Sequence, residues 1–340
     1  MILSNLRRRQ QRQRRRGLVA GVLLLLGLMA LSVGIGARWV PVSVTLDALS
    51  AFDPGISDHL LVRQLRLPRT LVAVLVGCAL GVAGVVLQAI TRNPLADPGL
   101  LGINAGAAVA IVAGVAYWGV TDVLGHLGLG FVGAAVASVA VYLLGGLKQG
   151  INPVRVLLAG AAVTVMLMAM AQIIINSNEL VFDQFRHWAV GSLQGRGSQL
   201  IVPVLVLVCL GLALAFYLSR ALDVLALGGD FGQSLGLRPG LVWLLAAVAI
   251  VLLAGAATAA AGPISFVGLA APHLARMIVG PDHRWLLPYT TLLAAILTLA
   301  ADVLGRLVAH PGEVGVGIMV ALIGGPFFVA LARRRRLAQL

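Results

Sequence analysis

The chain has 340 residues, 60% apolar and 11% charged, with 25 Lys and Arg against 12 Asp and Glu for a net charge of +13. Soluble domains carry ~25% charged residues and a membrane-spanning helix takes ~20 apolar ones, so the apolar supply covers about ten spans. These values exclude a soluble globular enzyme, a disordered chain and a disulfide-rich secreted domain, and apolar residues that run in blocks without alternating argue against a β-barrel.

The predicted elements follow from the gaps between charges. The first 16 residues carry seven Arg, at 7, 8, 9, 12, 14, 15 and 16. Charge-free stretches then cover 17–37, 70–91, 98–121, 123–147, 156–178, 197–219, 239–275, 285–301 and 314–332. The 239–275 stretch is too long for one span and enough for two. Gly262-Pro263 is its natural break, because Pro cannot donate to a helix ladder and Gly loosens it. The expectation is an all-α polytopic membrane protein of about ten helices, with no room for a soluble domain.

Placing both ends in the cytoplasm puts 18 of the 25 Lys and Arg inside and 7 outside, which is the bias the positive-inside rule requires. The outside set is Arg38, Arg63, Arg66, Arg69, Arg186, Arg196 and Arg306. The chain therefore divides into a basic cytoplasmic segment (1–17), one membrane domain (18–333) with a polar cytoplasmic segment near 221–239, and a basic tail (334–340). The Arg-rich start reads as a topological signal, not as a nucleic-acid or cleaved-leader segment.

Absent chemistry narrows the function. The one lysine, Lys148, follows Leu147, so there is no GxxxxGK[ST] phosphate loop and the chain is not itself an ATPase of that kind. Proton-coupled transporters place carboxylates within spans. Here the candidate is Asp302, and Arg306 lies four residues on, the spacing of an intrahelical ion pair. Cys78 and Cys209 sit in apolar spans and read as small core residues. The six His show no ligand spacing, so no metal or cofactor is expected on this chain.

Three segments carry more. The first is Arg66-Leu67-Pro68-Arg69, followed by Gly77, Gly84 and Gln88 and the run Asn93-Pro94-Leu95-Ala96-Asp97-Pro98-Gly99. The second is Leu225-Ala226-Leu227-Gly228, with Leu235-Gly236-Leu237 shortly after. The third is Gly262-Pro263-Ile264-Ser265-Phe266-Val267-Gly268, Pro272-His273, Arg276, Asp302, Arg306 and Gly324-Gly325-Pro326-Phe327-Phe328. In this order, from about residue 60 to the C-terminus, the chain resembles the permease family of ABC importers for ferric siderophores, haem and vitamin B12 (the FecCD/BtuC type). Ferric-citrate and ferric-siderophore members look most similar, through Gly191-Ser192-Leu193-Gln194-Gly195-Arg196 and the Gly-Pro-Ile-Ser-Phe run.

The resemblance implies ten spans per subunit in the inner membrane, a homo- or heterodimer of permeases, two cytoplasmic ATPases that hold ATP and Mg, and a periplasmic binding protein. It implies that Arg66, Arg69 and Arg306 receive acidic residues of the binding protein, with Arg63 a further candidate. It implies that Leu225, Leu227, Gly228, Asp230 and Leu235 contact the ATPase, and that Asn152, Pro153 and Val154 mark the cytoplasmic gate. The family's small hydroxyl residues are missing at that gate. Residues 183–197 fit a short outer helix, where Trp188 suits either a channel mouth or an interfacial anchor. The implied cargo is an iron(III) chelate such as ferric citrate, with haem or vitamin B12 as alternatives. An ion-coupled secondary transporter stays open as the other class.

Overall fold

The computed structural model describes residues 2–36, 38–146, 152–226, 229–309 and 312–333, and among these the regular structure is helical with no strand. In chain order the helices are α1 (Ile2–Gly34), α2 (Val42–Ser50), α3 (Ser57–Leu60), α4 (Leu67–Thr91), α5 (Ile103–Trp118), α6 (Val123–Gly146), α7 (Pro153–Ser177), α8 (Glu179–Ala189), α9 (Ile201–Tyr217), α10 (Ser219–Ala226), α11 (Gly229–Ser234), α12 (Pro239–Ile250), α13 (Ala256–Ala261), α14 (Val267–Val279), α15 (His283–Val308) and α16 (Val316–Arg333). A π-helical turn, Leu61–Arg66, leads into α4, and another, Val251–Gly255, joins α12 to α13.

Seven of the described segments are long and apolar enough to cross a bilayer: Arg9–Gly34, Ser57–Thr91, Val123–Gly145, Pro153–Ser177, Ser198–Tyr217, Pro239–Ala261 and His283–Val308. Three shorter apolar helices, Ile103–Trp118, Val267–Val279 and Val316–Pro326, fall on the remaining charge-free stretches. The stretch 98–121 is shortened because Pro98–Leu101 forms a 3₁₀ turn and Gly102, at φ +74°, starts α5 afresh. The long stretch 239–275 breaks where expected: Gly262 adopts φ +78°, a conformation that costs a residue with a Cβ, and Pro263 follows.

α4 is the most buried of the seven spans. It packs along α15 and α14 through small residues, which let membrane helices approach closely. A Cβ on Gly77 would lie 2.7 Å from the Ala294 carbonyl, and one on Gly84 would collide with the Gly268 carbonyl. Gln88 fixes the same contact by donating to the Gly268 carbonyl at 3.0 Å, and it accepts from Arg276 Nη2 at 2.6 Å. The Asn93–Gly99 run is a turn sequence. Asn93 accepts from the Leu95 N–H and Asp97 from the Gly99 N–H, which is why Asx residues stand two positions before those donors.

The Arg-rich start is continuous with the first span in a single helix, α1. Arg14 donates to the Val279 carbonyl at 2.6 Å and lies 5.5 Å over the Trp285 ring, while Tyr289 donates to the Arg14 carbonyl at 2.7 Å. Part of the basic leader is therefore held against α14 and α15. The basic tail, 334–340, lies outside the described residues.

Candidate functional site

α15 has 26 residues and is about 39 Å long at 1.5 Å per residue. Polar residues cluster at both of its ends, and these two clusters are the candidate sites.

At the C-terminal end, Asp302 and Arg306 are 1% and 2% exposed. Arg306 Nη2 pairs with Asp302 Oδ2 at 3.0 Å, the i,i+4 pair anticipated from sequence. Asp302 is also held by Arg69, through Nη2 at 2.9 Å and Nε at 3.0 Å. Arg69 Nη1 reaches on to Glu313 at 2.6 Å. Arg306 Nη1 donates to the carbonyls of Ser32 and Ile35 at 2.9 and 2.8 Å, and its Nη2 to the Ser32 hydroxyl at 2.7 Å. Arg66 donates to the carbonyls of Val33, Gly34 and Arg38. A helix leaves its last four carbonyls without internal partners. Here two guanidiniums from elsewhere in the chain supply three of the four for α1, at Ser32, Val33 and Gly34.

This arrangement bears on the three arginines expected to dock a partner. Arg66, Arg69 and Arg306 do not stand on the outer surface. Arg66 and Arg306 are buried, Arg69 is 11% exposed by its side chain, and all three donate to carbonyl, carboxylate or hydroxyl oxygens of this chain. A guanidinium with its fork filled has no bidentate face left for a partner's carboxylate. The exposed arginines nearby are Arg63, whose guanidinium lies 4.7 Å from the Phe52 ring centre, and Arg38, 67% exposed and paired with Asp58 at 3.1 Å.

At the N-terminal end of α15, Asp223 of α10 accepts from the His283 N–H at 3.0 Å and stands 2.6 Å from its ring Nδ1. Partial burial pushes the Asp223 carboxyl up, but the two His283 contacts and the charges of His283 and Arg284 outweigh it and hold the group below the usual carboxylate range. Asp223 thus ties the segment after α9 to the first residue of α15. A cavity of about 790 Å³ lies beside this joint, lined by Gln88, Arg92, Asp223, Arg276 and His283 among others. In the adjoining loop, burial pushes the Asp97 carboxyl up, against the opposing hydrogen bond from Gly99.

The predicted coupling residues differ in burial. Leu225 is buried at 5% exposure, so it packs inward and is not a surface contact. Leu235 is exposed, and Gly236 turns the chain at φ +82°. Asp230 lies in α11, while Leu227 and Gly228 lie outside the described residues. At the predicted gate, Asn152 caps α7 by accepting from the Val154 N–H at 2.9 Å, Pro153 takes the first helical position, and Val154 is exposed.

Of the 183–197 stretch, residues 183–189 are helical, as the second half of α8, which is capped by Asn178 and ends at Ala189 before the Gly191–Gly197 stretch. Trp188 is 4% exposed and packs at 5.9 Å from Phe185, so it is a packed residue and not an interfacial anchor. On the exposed side of α7, Gln172 donates to Asn176 at 2.8 Å among Val165, Met166, Met170 and Ile173. Two amides on an apolar face are unfavourable against lipid, and their place is a water-filled or protein-covered surface. Among the described residues no group of three or more His, Cys, Asp or Glu is arranged to hold a metal.

The model of the FecCD transport family matches residues 23–334. The chain belongs to this family. The permease is 46% identical over 319 residues to the ferric enterobactin transport system permease protein FepD of Escherichia coli K12, covering 93% of this chain and 95% of that one. It is 40% identical over 318 residues to the probable siderophore transport system permease protein YfiZ of Bacillus subtilis 168, covering 93% and 95%. Among solved structures, an ABC transporter of metal-chelate type in an inward-facing conformation is similar with a TM-score of 0.82 and 28% identity, over 94% of this chain and 99% of that one. The permease is thus a multi-pass transport subunit of the metal-chelate and siderophore importer family, and not an enzyme.

Sequence reasoning missed Glu313, the Asp223–His283 joint and the Gln172–Asn176 pair. Glu313 meets Arg69 from 244 positions away and His283 meets Asp223 from 60, so no local spacing signals either.

Proposed function

We propose that this permease carries an iron(III) chelate of siderophore type across the inner membrane into the cytoplasm, driven by separate ATPase subunits. Ferric citrate and ferric catecholates are the cargo class to test first. The observation that carries the reading is the match along 93% of the chain to permeases named for ferric enterobactin and siderophore transport. Seven long and three short apolar helices support ten spans with both termini inside. The chain works as a dimer with a second permease subunit, the exposed polar pair on α7 facing the path between them. Two ATPases hold the ATP and Mg, and a periplasmic binding protein delivers cargo. No cofactor resides on this chain.

The mechanism follows from the two ends of α15. The 219–238 segment, with exposed Leu235, seats on the ATPase. When nucleotide closes the ATPases, that segment moves, and the Asp223–His283 joint passes the displacement to α15. A helix with both ends hydrogen-bonded moves as a strut. Its far end holds Arg306 and Asp302, which grip α1 and α4, so displacement inside reaches the outer face. Work is done because the two permease states bind the ATPases differently. Docking of the binding protein falls to the exposed Arg63 and Arg38. Asp302, the carboxylate a proton-coupled carrier would use, is committed to two arginines, which favours the ATP-driven reading.

The test is copurification with a candidate ATPase, then uptake of ferric chelates into liposomes with ATP on the ATPase side. ATP-dependent uptake is expected. Uptake that persists without any ATPase and collapses with an uncoupler would place the protein in the secondary-transporter class instead.

A further inference from the structure

A second cavity, of about 650 Å³, lies at the end of the bundle that carries Asp302, away from the Asp223–His283 joint. Its volume falls in the ~300–1,000 Å³ range of small-ligand sites. Its walls include the start of α6, α8, the loop after α8 and the turn before α16. Arg196, Trp188, His126, His187, Gln194 and Glu313 line it.

Among the described residues that line it, Arg196 is a cation without a carboxylate partner. Arg196 is half-buried, forms no ion pair among the described residues, and makes one long hydrogen bond, 3.5 Å, to the Ser192 carbonyl. Burial lowers its proton affinity. The Trp188 indole Nε1, a donor only, is buried without a hydrogen-bond partner among the described residues. The nearby acids are already engaged. Glu313 is held by Arg69 at 2.6 Å, Asp183 by Arg186 at 2.9 Å, and Asp122 accepts from the Gly125 N–H at 2.7 Å.

We propose that this cavity receives an anionic, oxygen-rich iron(III) chelate, with Arg196 as the residue that selects negative charge. This rests on the importer reading above. A partly desolvated guanidinium without a counter-ion is unfavourable, and a ligand carboxylate or catecholate oxygen supplies the missing partner. Iron(III) held by catecholates or carboxylates is anionic and turns oxygen acceptors outward. Iron(III) held by three hydroxamates is neutral and offers Arg196 no charge to pair with. The cavity therefore favours the first class over the second.

The experiment uses the full importer, with its ATPase and binding protein, in liposomes. A ferric tris-catecholate and a neutral ferric tris-hydroxamate are compared by half-saturating concentration for ATP-driven uptake. Arg196→Gln is expected to lower the preference for the anionic chelate roughly tenfold, as loss of a charge-assisted hydrogen bond does. Arg196→Lys is expected to restore most of it. Exposed Arg186→Gln, at the rim and outside the packing, is expected to move it the same way by about two- to threefold, so the proposal stays testable if Arg196→Gln does not assemble. An unchanged preference in these variants with uptake intact overturns the cavity assignment and leaves the importer reading standing. Weakened affinity for the cargo-free binding protein, with chelate preference unchanged, assigns the cavity to protein docking and also overturns it. No ATP-driven uptake of either chelate by the unaltered importer overturns both readings together.

Discussion

Arg306 grips Ser32 twice across 274 positions of chain, Nη1 on the carbonyl at 2.9 Å and Nη2 on the hydroxyl at 2.7 Å. Ser32 in turn stands 2.7 Å from the Thr70 hydroxyl. The end of α1 is thereby fixed to both α4 and α15 by polar contacts sealed from water. Such contacts are costly to break, because removing one partner leaves the other buried without compensation.

Asp302→Asn tests this directly. It strands Arg69 and Arg306, both buried or nearly so, with one carboxylate fewer between them. The expected loss is about 3–5 kcal/mol, read as a lower Tm of the detergent-purified permease. A Tm equal to that of the parent protein would contradict the network's structural role.

Arg66→Glu and Arg63→Glu should behave oppositely. Arg66 is buried and caps α1, so its reversal is expected to reduce folding and membrane yield. Arg63 is exposed, so its reversal is expected to leave the unfolding free energy within about 0.5 kcal/mol of the parent while weakening binding-protein docking about tenfold. Surface plasmon resonance of the reconstituted importer reads the second effect. Normal docking by Arg63→Glu removes it from the docking surface.

Gly84→Ala places a methyl against the Gly268 backbone, which cannot turn aside as a side chain would. Overpacking of this kind costs about 1–3 kcal/mol. Thermal unfolding is expected to show the loss at Gly84, and none at Gly27, where an added Cβ meets nothing within 4 Å.

The Asp223–His283 joint predicts a pH dependence. The Asp223 carboxyl is held below its ordinary value in the fold. Its stabilisation is therefore complete above the unfolded value, about 3.9, and is lost as pH falls through the lower folded value. The Tm difference between the parent protein and Asp223→Asn is expected to shrink as pH falls below about 4. A difference that grows as pH falls below about 4 has the wrong sign for this assignment. At neutral pH the same variant is expected to reduce ATP-driven uptake more than ATPase copurification, because the joint transmits motion and does not form the contact.

Much of this was legible in the chain itself. Blocks of apolar residues between charges set the helices, and Gly262-Pro263 marked the break before α14, because backbone rules act on neighbours in sequence. The Asp302–Arg306 pair was visible for the same reason, since one helical turn joins them. The burial and internal pairing of Arg66, Arg69 and Arg306 were not visible there, because sequence is silent about burial. An arginine that caps another helix reads the same as one that faces water. Leu225 and Leu235 show this in reverse, for one motif segment supplies a core residue and an exposed one.

Composition and local spacing alone determined that this is a helical membrane chain, because hydropathy and the helix ladder are properties of contiguous residues. Which charges are paired, which glycines touch a backbone and which side chains meet at a cavity was decided only by tertiary structure. Those facts depend on residues 60 to 274 positions apart being brought within hydrogen-bonding distance, and a linear sequence carries no record of distance across space.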